Sequence, residues 1–517
     1  MSTTNPTQPQ FTILLNVTLW IKKMSWFKSH PQFTSLILGS LCVFGFAPFY
    51  VFLLPIVSLA GLFYLWGQSS TPKDAAKLGF IFGLGYFIAG IYWIYISLHD
   101  VGGMPFWMAG IATFCLCAFL AIFPAIVGYL AKRSAKPLMI AAILWVISEW
   151  VRNWIFTGFP WLTVAYSQVP ISPLANYAPA FGVFGVSLAV TATAGLIVHI
   201  QAQSTRRLSM VVLAAIWMVG GLLSFIHWTT PIGSPLKVAL LQGNTPQELK
   251  WDEATTIHTI NQYLGMAKQA EADLIILPET ALPVVIDLSQ HDLIQNQFIA
   301  PFAKIASDDH KAILLGTITQ KNAAYFNSMV GINKDTKAGQ LYHKSHLVPF
   351  GEFIPLKGIF GWVYRDWLNM PMSDLSRGDQ KQVPMQLADQ KIAVNICYED
   401  VFGEEIISQL PEATILVNAS NDAWYGRSAA ADQHLQFSQM RALETGRMVL
   451  RSTNTGATAV ISKEGNILAT VPQFTTIILN GNVQGYAGTT PFIRYGNWPI
   501  ISLLFITLIL LWGRKKK

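Results

Sequence analysis

Long apolar runs recur along the chain and leave little choice of architecture. They occupy residues 34–48, 51–68, 78–98, 105–131, 137–151, 180–200, 209–228 and 498–513. Most approach the ~20 residues an α-helix needs to cross a bilayer, and a backbone in hydrocarbon must satisfy its own hydrogen bonds, as helices do. The expected framework is a polytopic α-helical membrane domain of about eight spans, the first and fifth of them short. Composition agrees, since 52% of the 517 residues are hydrophobic and 12% charged, against roughly a quarter charged in ordinary soluble proteins. Ahead of the first span, 11-FTILLNVTLWIKKMSWF-27 is interrupted by Lys22 and Lys23 and lacks a small-residue cleavage site. It reads as an amphipathic lead-in on the membrane surface rather than a cleaved signal.

The net charge of +7 and pI near 9.0 would suggest nucleic acid in a soluble protein, but the positions of the cations argue otherwise. Lys22, Lys23 and Lys28 precede the first span. Lys73 and Lys77, then Lys132, Arg133 and Lys136, then Arg206 and Arg207 fall in alternate connections, and Arg514 to Lys517 follow the last span. The intervening connections at 99–106 and 152–179 offer only Arg152. By the positive-inside rule both termini are cytoplasmic and the long polar segment after the seventh span faces the other side. Three of the four cysteines, Cys42, Cys115 and Cys117, lie in spans, and Cys397 alone lies in the polar segment. An unpaired cysteine outside the cytoplasm is either a buried inert thiol or a free reactive one.

The expected boundaries are 1–33 for the interfacial segment, 34–235 for seven spans, 236–485 for the polar domain, and 486–517 for the last span and basic tail. Within 236–485 short strands are expected at 237–242, 273–279, 312–318, 326–333, 392–397, 414–420 and 457–461, with amphipathic helices at 253–272, 292–307 and 430–448. Near-continuous apolar strands alternating with helices indicate an α/β domain whose sheets are covered. Ligand sites in such domains gather at the carboxyl ends of strands, and three strand ends carry unusual residues. Glu279 follows the strand of 274-LIILPETALP-283, Lys344 and Glu352 lie in 342-YHKSHLVPFGEFIP-355, and Cys397 closes the strand of 392-IAVNICYEDVF-402. A thiol is a nucleophile only as thiolate, a carboxylate can take its proton during attack, and an ammonium can stabilise an oxyanion. Together they suffice for acyl transfer through a thioester. Read singly, Glu279 fits a solvated strand end, and Lys344 shares a basic cluster with His343 and His346. Glu399 and Asp400, next to the thiol, would oppose its ionisation.

The phrases LPETALP, YHKSHLVPFGEFIP and NICYEDVF, in that order, resemble the nitrilase superfamily. With spans before and after the domain, and with 45-GFAPF-49, 158-GFPWL-162, 241-LQGNTPQELKWD-252, 419-ASNDAWYG-426 and 433-QHLQFSQMRALETGR-447, the chain is similar to the apolipoprotein N-acyltransferase family over nearly its whole length. The resemblance implies an inserted nitrilase-like αββα sandwich, with Glu279 as general base, Lys344 as oxyanion-stabilising lysine and Cys397 as nucleophile. It also implies supporting roles for Glu352, Tyr398 and Glu399, with the Tyr398 backbone N–H as a second oxyanion donor. Trp251 matches a tryptophan at the lipid access, while Leu277 stands where many relatives carry tryptophan. The implied reaction is ping-pong, from the sn-1 chain of phosphatidylethanolamine to the amine of a diacylglyceryl-cysteine at an apolipoprotein N-terminus. No cofactor, metal or nucleic acid is expected, and the chain is expected to act as a monomer in a bacterial inner membrane.

Trp362, Tyr364 and Trp367 are expected to form a mobile lid, and Asn421 and Trp424 to shape the acceptor side. Phe159, Trp161 and Tyr166 fit either a lipid access or an aromatic belt. Two other readings keep part of this picture. A tethered amidase or nitrile hydrolase would use the same triad but would not need seven spans. A transporter would place ionisable residues at mid-membrane, whereas Asp100 and Glu149 lie near span ends.

Overall fold

The computed structural model describes residues 29–289, 293–334, 339–355, 358 and 374–512, so the expected lid residues Trp362, Tyr364 and Trp367 lie outside the described residues. The chain divides into two compact units, one of residues 1–92, 110–226 and 497–517, the other of residues 93–109 and 227–496.

In the first unit helices overlap all eight apolar segments, the best matches being Phe106–Arg133, Pro137–Arg152 and Ala178–His199. By length and composition three stretches among the described residues can cross a membrane, Phe106–Arg133, Pro173–His199 and Arg206–Leu223, or four if Pro72–Gly90 and Trp93–Val101 form one span. Pro31–Gly45, Leu53–Gln68 and Trp498–Leu511 are apolar but shorter. At 1.5 Å per residue they fall short of a hydrocarbon core about 30 Å thick, so the count of eight remains an expectation.

The local chemistry of these helices is legible. Thr71 caps Pro72–Gly90 reciprocally with Asp74 (Asp74 N to Thr71 Oγ1 3.1 Å, Thr71 N to Asp74 Oδ2 3.0 Å), a capping box with proline in the first turn. Glycine lets this helix approach its neighbour: a Cβ on Gly39 would stand 2.1 Å from the Phe82 carbonyl oxygen, and one on Gly85 2.3 Å from that of Leu36. Small residues at such crossings are the usual means of helix packing in membranes. Glu149 receives bonds from Trp145 Nε1, Val164 N and Ser187 Oγ, so it is a packed structural acid. Trp161 and Tyr166 are buried within this unit, which corrects their reading as access or belt residues; Arg152 Nη1 donates to the Trp161 carbonyl at 2.7 Å.

The second unit holds two sheets. The first contains β1 (Thr229–Gln242), β2 (Leu274–Ile276), β3 (Leu282–Asp287), β4 (Ala312–Lys321), β5 (Ala324–Ile332) and β6 (Gln340–His343). The second contains β7 (Met385–Leu387), β8 (Gln390–Ile396), β9 (Ile415–Ser420), β10 (Val449–Thr453), β11 (Ala459–Ile461) and β12 (Ile467–Thr470), while β13 (Ile477–Gly488) returns to the first. Their orders are β13-β1-β2-β4-β5-β6, with β3 on β4, and β12-β11-β10-β9-β8-β7.

The period of two in each strand sorts the layers. Val238, Leu240, Ile276 and Leu314 share one core with Val394, Ile396, Val417 and Leu450 of the other sheet. Their neighbours Ala239, Leu241, Ile275 and Ile313 pack under Tyr263 and Met266 of helix Glu253–Gln269 and Phe302 of helix Ala300–Asp308. Ala393, Leu416 and Val449 pack under Leu435 and Ala442 of helix Ala430–Thr445. The result is the αββα layering that the resemblance implies. Each fully buried aliphatic side chain contributes about 1.5–3 kcal/mol, and a one-residue slip would exchange the two faces of a strand, so the register is firmly set.

Residues 93–109, partly expected within a span, pack with this second unit. Trp93 Nε1 donates to Gln433 Oε1 at 3.2 Å and Ser97 Oγ to the Trp424 carbonyl at 2.6 Å. The helix expected at 292–307 is shorter, Ala300–Asp308, with Pro301 in its first turn, where a missing N–H costs nothing.

Candidate active site

Two sheets deliver the site. Glu279 lies just beyond β2, Lys344 directly after β6, and Cys397 directly after β8, at the carboxyl ends of their strands. All three are buried. Lys344 Nζ stands 3.3 Å from Glu279 Oε1 and 2.9 Å from Glu352 Oε1. Asn327, on β5, bridges the same two carboxylates from Nδ2, at 2.7 Å to Glu279 and 3.0 Å to Glu352. The second Glu279 oxygen accepts the Asn421 backbone N–H at 2.9 Å, and Val348 N donates to Glu352 Oε2 at 2.8 Å. Glu352 thereby holds Lys344 and Asn327 in place.

The electrostatics follow from burial and charge. Burial raises the Cys397 thiol above its ordinary range and Glu279 adds to this, while Lys344 opposes it. The thiol is protonated at neutral pH and lies in the field of a carboxylate able to receive its proton. Burial disfavours the Lys344 cation, yet Glu352 and Glu279 outweigh it and hold the ammonium charged. Cys397 itself has φ 51°, a left-handed conformation uncommon for a side-chain-bearing residue. Its carbonyl is fixed by Asn418 Nδ2 and His434 Nε2, each at 3.1 Å. His434 Nδ1 faces Asp422 Oδ1 at 3.1 Å, and Arg451 Nη2 donates to Asp422 Oδ2 at 2.8 Å.

One donor atom each from Cys397, Asp422 and His434 lies within 4.8 Å of the others, a spacing that raises the question of a metal. Asp422 and His434 are already spent on each other, and a metal cation would have to displace or adjoin the Arg451 guanidinium. The donor set fits a hydrogen-bonded support for the Cys397 turn better than a metal centre.

The comparisons follow the same division of the chain. The profile described as apolipoprotein N-acyltransferase N-terminal domain matches residues 38–196, and that of carbon-nitrogen hydrolase matches 237–492. An apolipoprotein N-acyltransferase of Nitrosomonas europaea is 46% identical over 481 residues, covering 91% of this chain and 95% of its own. One of Chromobacterium violaceum is 42% identical over 490 residues, covering 92% and 93%. The chain belongs to the apolipoprotein N-acyltransferase family. It is an acyltransferase built on the nitrilase superfamily's carbon-nitrogen hydrolase domain. Among solved structures it is similar to XC1258 of Xanthomonas campestris, a CN-hydrolase superfamily protein, at 18% identity and TM-score 0.38, covering 48% of this chain and 91% of that one.

In this N-acyltransferase the carboxylates beside Cys397 are turned to structural work. Glu399 accepts from Ile396 N (2.6 Å), Ser345 N (2.6 Å), Ser345 Oγ (2.8 Å), His346 N (3.2 Å) and the Tyr342 hydroxyl (3.0 Å). It ties the end of β8 to the end of β6, and so Cys397 to Lys344. Burial pushes its carboxyl up, against these bonds and the Lys344 charge. Asp400 is turned to Ser438 and Arg451. Replacing Glu399 by Gln sets an NH₂ against one of these backbone donors. The expected cost is about 1–3 kcal/mol of stability, read as a lowered unfolding midpoint, together with slower acyl transfer. An unchanged midpoint would show that the clamp contributes nothing.

The remaining expected residues are distributed around this centre. Tyr398 is buried, its ring against Phe402 and His346. Trp251 is half-buried on Ile318, Leu347 and Leu375. Asn421 is buried, its side chain on Gln247 and Asn454 and its backbone on Glu279, so it serves the Glu279 carboxylate directly. Half-buried Trp424 is held through its carbonyl by Ser97. Sequence reasoning passed over Asn327, Asn418, Asp422, His434 and Arg451. Polar residues at inward positions of apolar strands, as in 326-FNSMVGIN-333 and 414-TILVNAS-420, were the available signal.

Proposed function

We propose that the chain transfers the sn-1 acyl chain of a phospholipid, phosphatidylethanolamine preferred, to the α-amino group of the diacylglyceryl-cysteine at the N-terminus of apolipoproteins. The observation that carries the reading is the buried Lys344 bridge between Glu279 and Glu352 at the strand ends that also present Cys397. In the first half-reaction Glu279 takes the Sγ proton as the thiolate attacks the ester carbonyl. Lys344 and the Tyr398 N–H stabilise the oxyanion, and the lysophospholipid leaves with the proton from Glu279. In the second, the lipoprotein amine attacks the thioester, Glu279 accepts its proton, and the Cys397 thiolate departs and is reprotonated. Both substrates are lipids, and extracting acyl chains into water costs about 0.8 kcal/mol per methylene, which favours an enzyme anchored by apolar helices. The termini are cytoplasmic and the catalytic domain periplasmic in this reading, from the distribution of Lys and Arg.

The test is intact mass after incubation with phosphatidylethanolamine vesicles alone. The expected result is one added acyl chain, located on the peptide containing Cys397 and discharged by a diacylated lipopeptide. An adduct that forms elsewhere, or that discharges into water as fast as into the lipopeptide, would replace this reading with a tethered hydrolase.

A further inference from the structure

Two histidines flank Lys344, and the fold uses them differently. His343 sets Nδ1 2.8 Å from the Ser328 hydroxyl and its ring on Phe326, centroids 4.7 Å apart, a packed support of β5 and β6. His346 turns instead to the residues that follow Cys397. Its backbone N–H donates to Glu399 Oε1 at 3.2 Å, and its Nδ1 meets Glu405 Oε1 at 2.7 Å. A carboxylate only accepts, so Nδ1 carries the proton. The imidazole lies stacked on Phe402, centroids 3.8 Å and planes 16° apart, and meets the Tyr398 ring edge-on at 5.7 Å. Tyr398 and Phe402 form a further T-shaped pair at 5.2 Å.

The three rings close a box between two turns. Lys344 to His346 follows β6 and Cys397 to Phe402 follows β8, strands of different sheets. Tyr398, 4% exposed, is confined by His346 on one side and Phe402 on the other. What this confinement fixes is a peptide plane. The bond joining Cys397 to Tyr398 is trans, so its C=O and N–H point in opposite directions within one plane. Asn418 and His434 hold the carbonyl end, each at 3.1 Å, and the ring box holds the Tyr398 end. The direction of the Tyr398 N–H is thereby set from both sides.

We propose that His346 is a positioning residue for acyl transfer: its ring, oriented by Glu405 and stacked on Phe402, fixes Tyr398 and so aims the Tyr398 N–H. The proposal rests on the acyl-enzyme reading above, which gives that N–H to the oxyanion. His346 takes no proton from substrate and needs no contact with it, since its Nδ1 is spent on Glu405 and one ring face on Phe402.

The experiment follows Cys397 in the full chain by intact mass, with phosphatidylethanolamine vesicles over a range of lipid concentrations and, separately, with iodoacetamide. Alkylation displaces iodide without passing through an oxyanion, so it reports the thiol and not the oxyanion donor. His346→Gln keeps a donor for Glu405 and removes the ring. Losing an oxyanion donor outright costs about a hundred- to a thousandfold, so a misaimed one is expected to lower the maximal rate of acyl-enzyme formation about ten- to a hundredfold. The half-saturating lipid concentration and the alkylation rate should not change. His346→Phe keeps the stacked ring and should stay within about threefold of wild type. A His346→Gln chain that acylates within about threefold of wild type, or whose alkylation slows as much as its acylation, overturns the proposal. So does a His346→Phe chain as slow as the Gln variant, and so does a raised half-saturating concentration at unchanged maximal rate, which would make His346 a substrate contact. If His346→Gln folds poorly, Phe402→Leu removes the stack from the other side and decides by the same two rates, slowed acylation with unchanged alkylation being the expected result. A wild-type chain that forms no Cys397 adduct overturns the acyl-enzyme reading first, and this proposal with it.

Discussion

Glu279→Gln is expected to slow acyl-enzyme formation by about a hundred- to ten-thousandfold, the range that a positioned general base supplies. The substitution is nearly isosteric, so the amide oxygen can still accept from Lys344 and Asn327, as Oε1 does at 3.3 and 2.7 Å. The new NH₂ then meets the Asn421 N–H that now donates to Oε2 at 2.9 Å, at a cost of about 1–3 kcal/mol. The informative comparison is with simple alkylation of the thiol. Glu279 is one of the causes holding the Cys397 thiol up, and Lys344 opposes it, so loss of the carboxylate eases static ionisation. Alkylation by iodoacetamide at neutral pH should therefore be unchanged or faster while acyl transfer collapses. That divergence separates a base acting during attack from a general disturbance of the site. If acyl transfer stays within about threefold of wild type, Glu279 is not the base.

The residues that end apolar strands were legible because an abrupt change from Ile-Leu-Val to a charged or thiol side chain marks where a sheet opens. Glu279, Lys344 and Cys397 all have that form. Their convergence was not legible, since it depends on β2 and β6 lying in one sheet and β8 in the other. The supporting shell was hidden for the opposite reason. Asn327 on β5 and Arg451 on β10 are polar residues inside strands, where alternation ordinarily assigns such positions to solvent, yet both are buried. Helix Ala430–Thr445 shows the same effect, being polar in composition and buried at every position but Asp432. β13, rich in Gly and Asn, and the solvent-facing start of β1 carry too little apolar signal to be read as strands, although they pair along eleven positions. In the first unit hydropathy located each apolar segment but not its helix ends, which proline sets at Pro31, Pro72 and Pro137.

The largest expected effect on stability comes from Arg451→Met. Arg451 is fully buried, donates to Asn418 Oδ1 (2.5 Å) and Asp422 Oδ2 (2.8 Å), and lies 3.6 Å from Asp400 Oδ2. Met fills much of the volume but leaves two carboxylates without their shared cation, and breaking a buried pair in this way costs about 3–5 kcal/mol. The pH dependence checks the cause. Burial alone would raise the Asp422 carboxyl, but Arg451, then His434, hold it well below the ordinary range. In the wild type the stability this supplies is present above the unfolded carboxyl pKa and lost only as pH falls through the lower folded value. Without Arg451 the largest influence holding that carboxyl down is gone, so the folded value moves back toward the unfolded one and the variant lacks this stability. The gap in unfolding midpoint between wild type and variant should therefore narrow as pH falls below about 4, through the carboxyl range. A gap that stays constant assigns the loss to packing. Adding Asp422→Asn should restore part of the stability, since the amide needs no counter-charge and its oxygen still accepts from His434. Activity should return only as far as His434 continues to hold the Cys397 carbonyl, now 3.1 Å from Nε2. Recovery of stability without recovery of rate would locate the function of this buried relay in the geometry of the Cys397 turn.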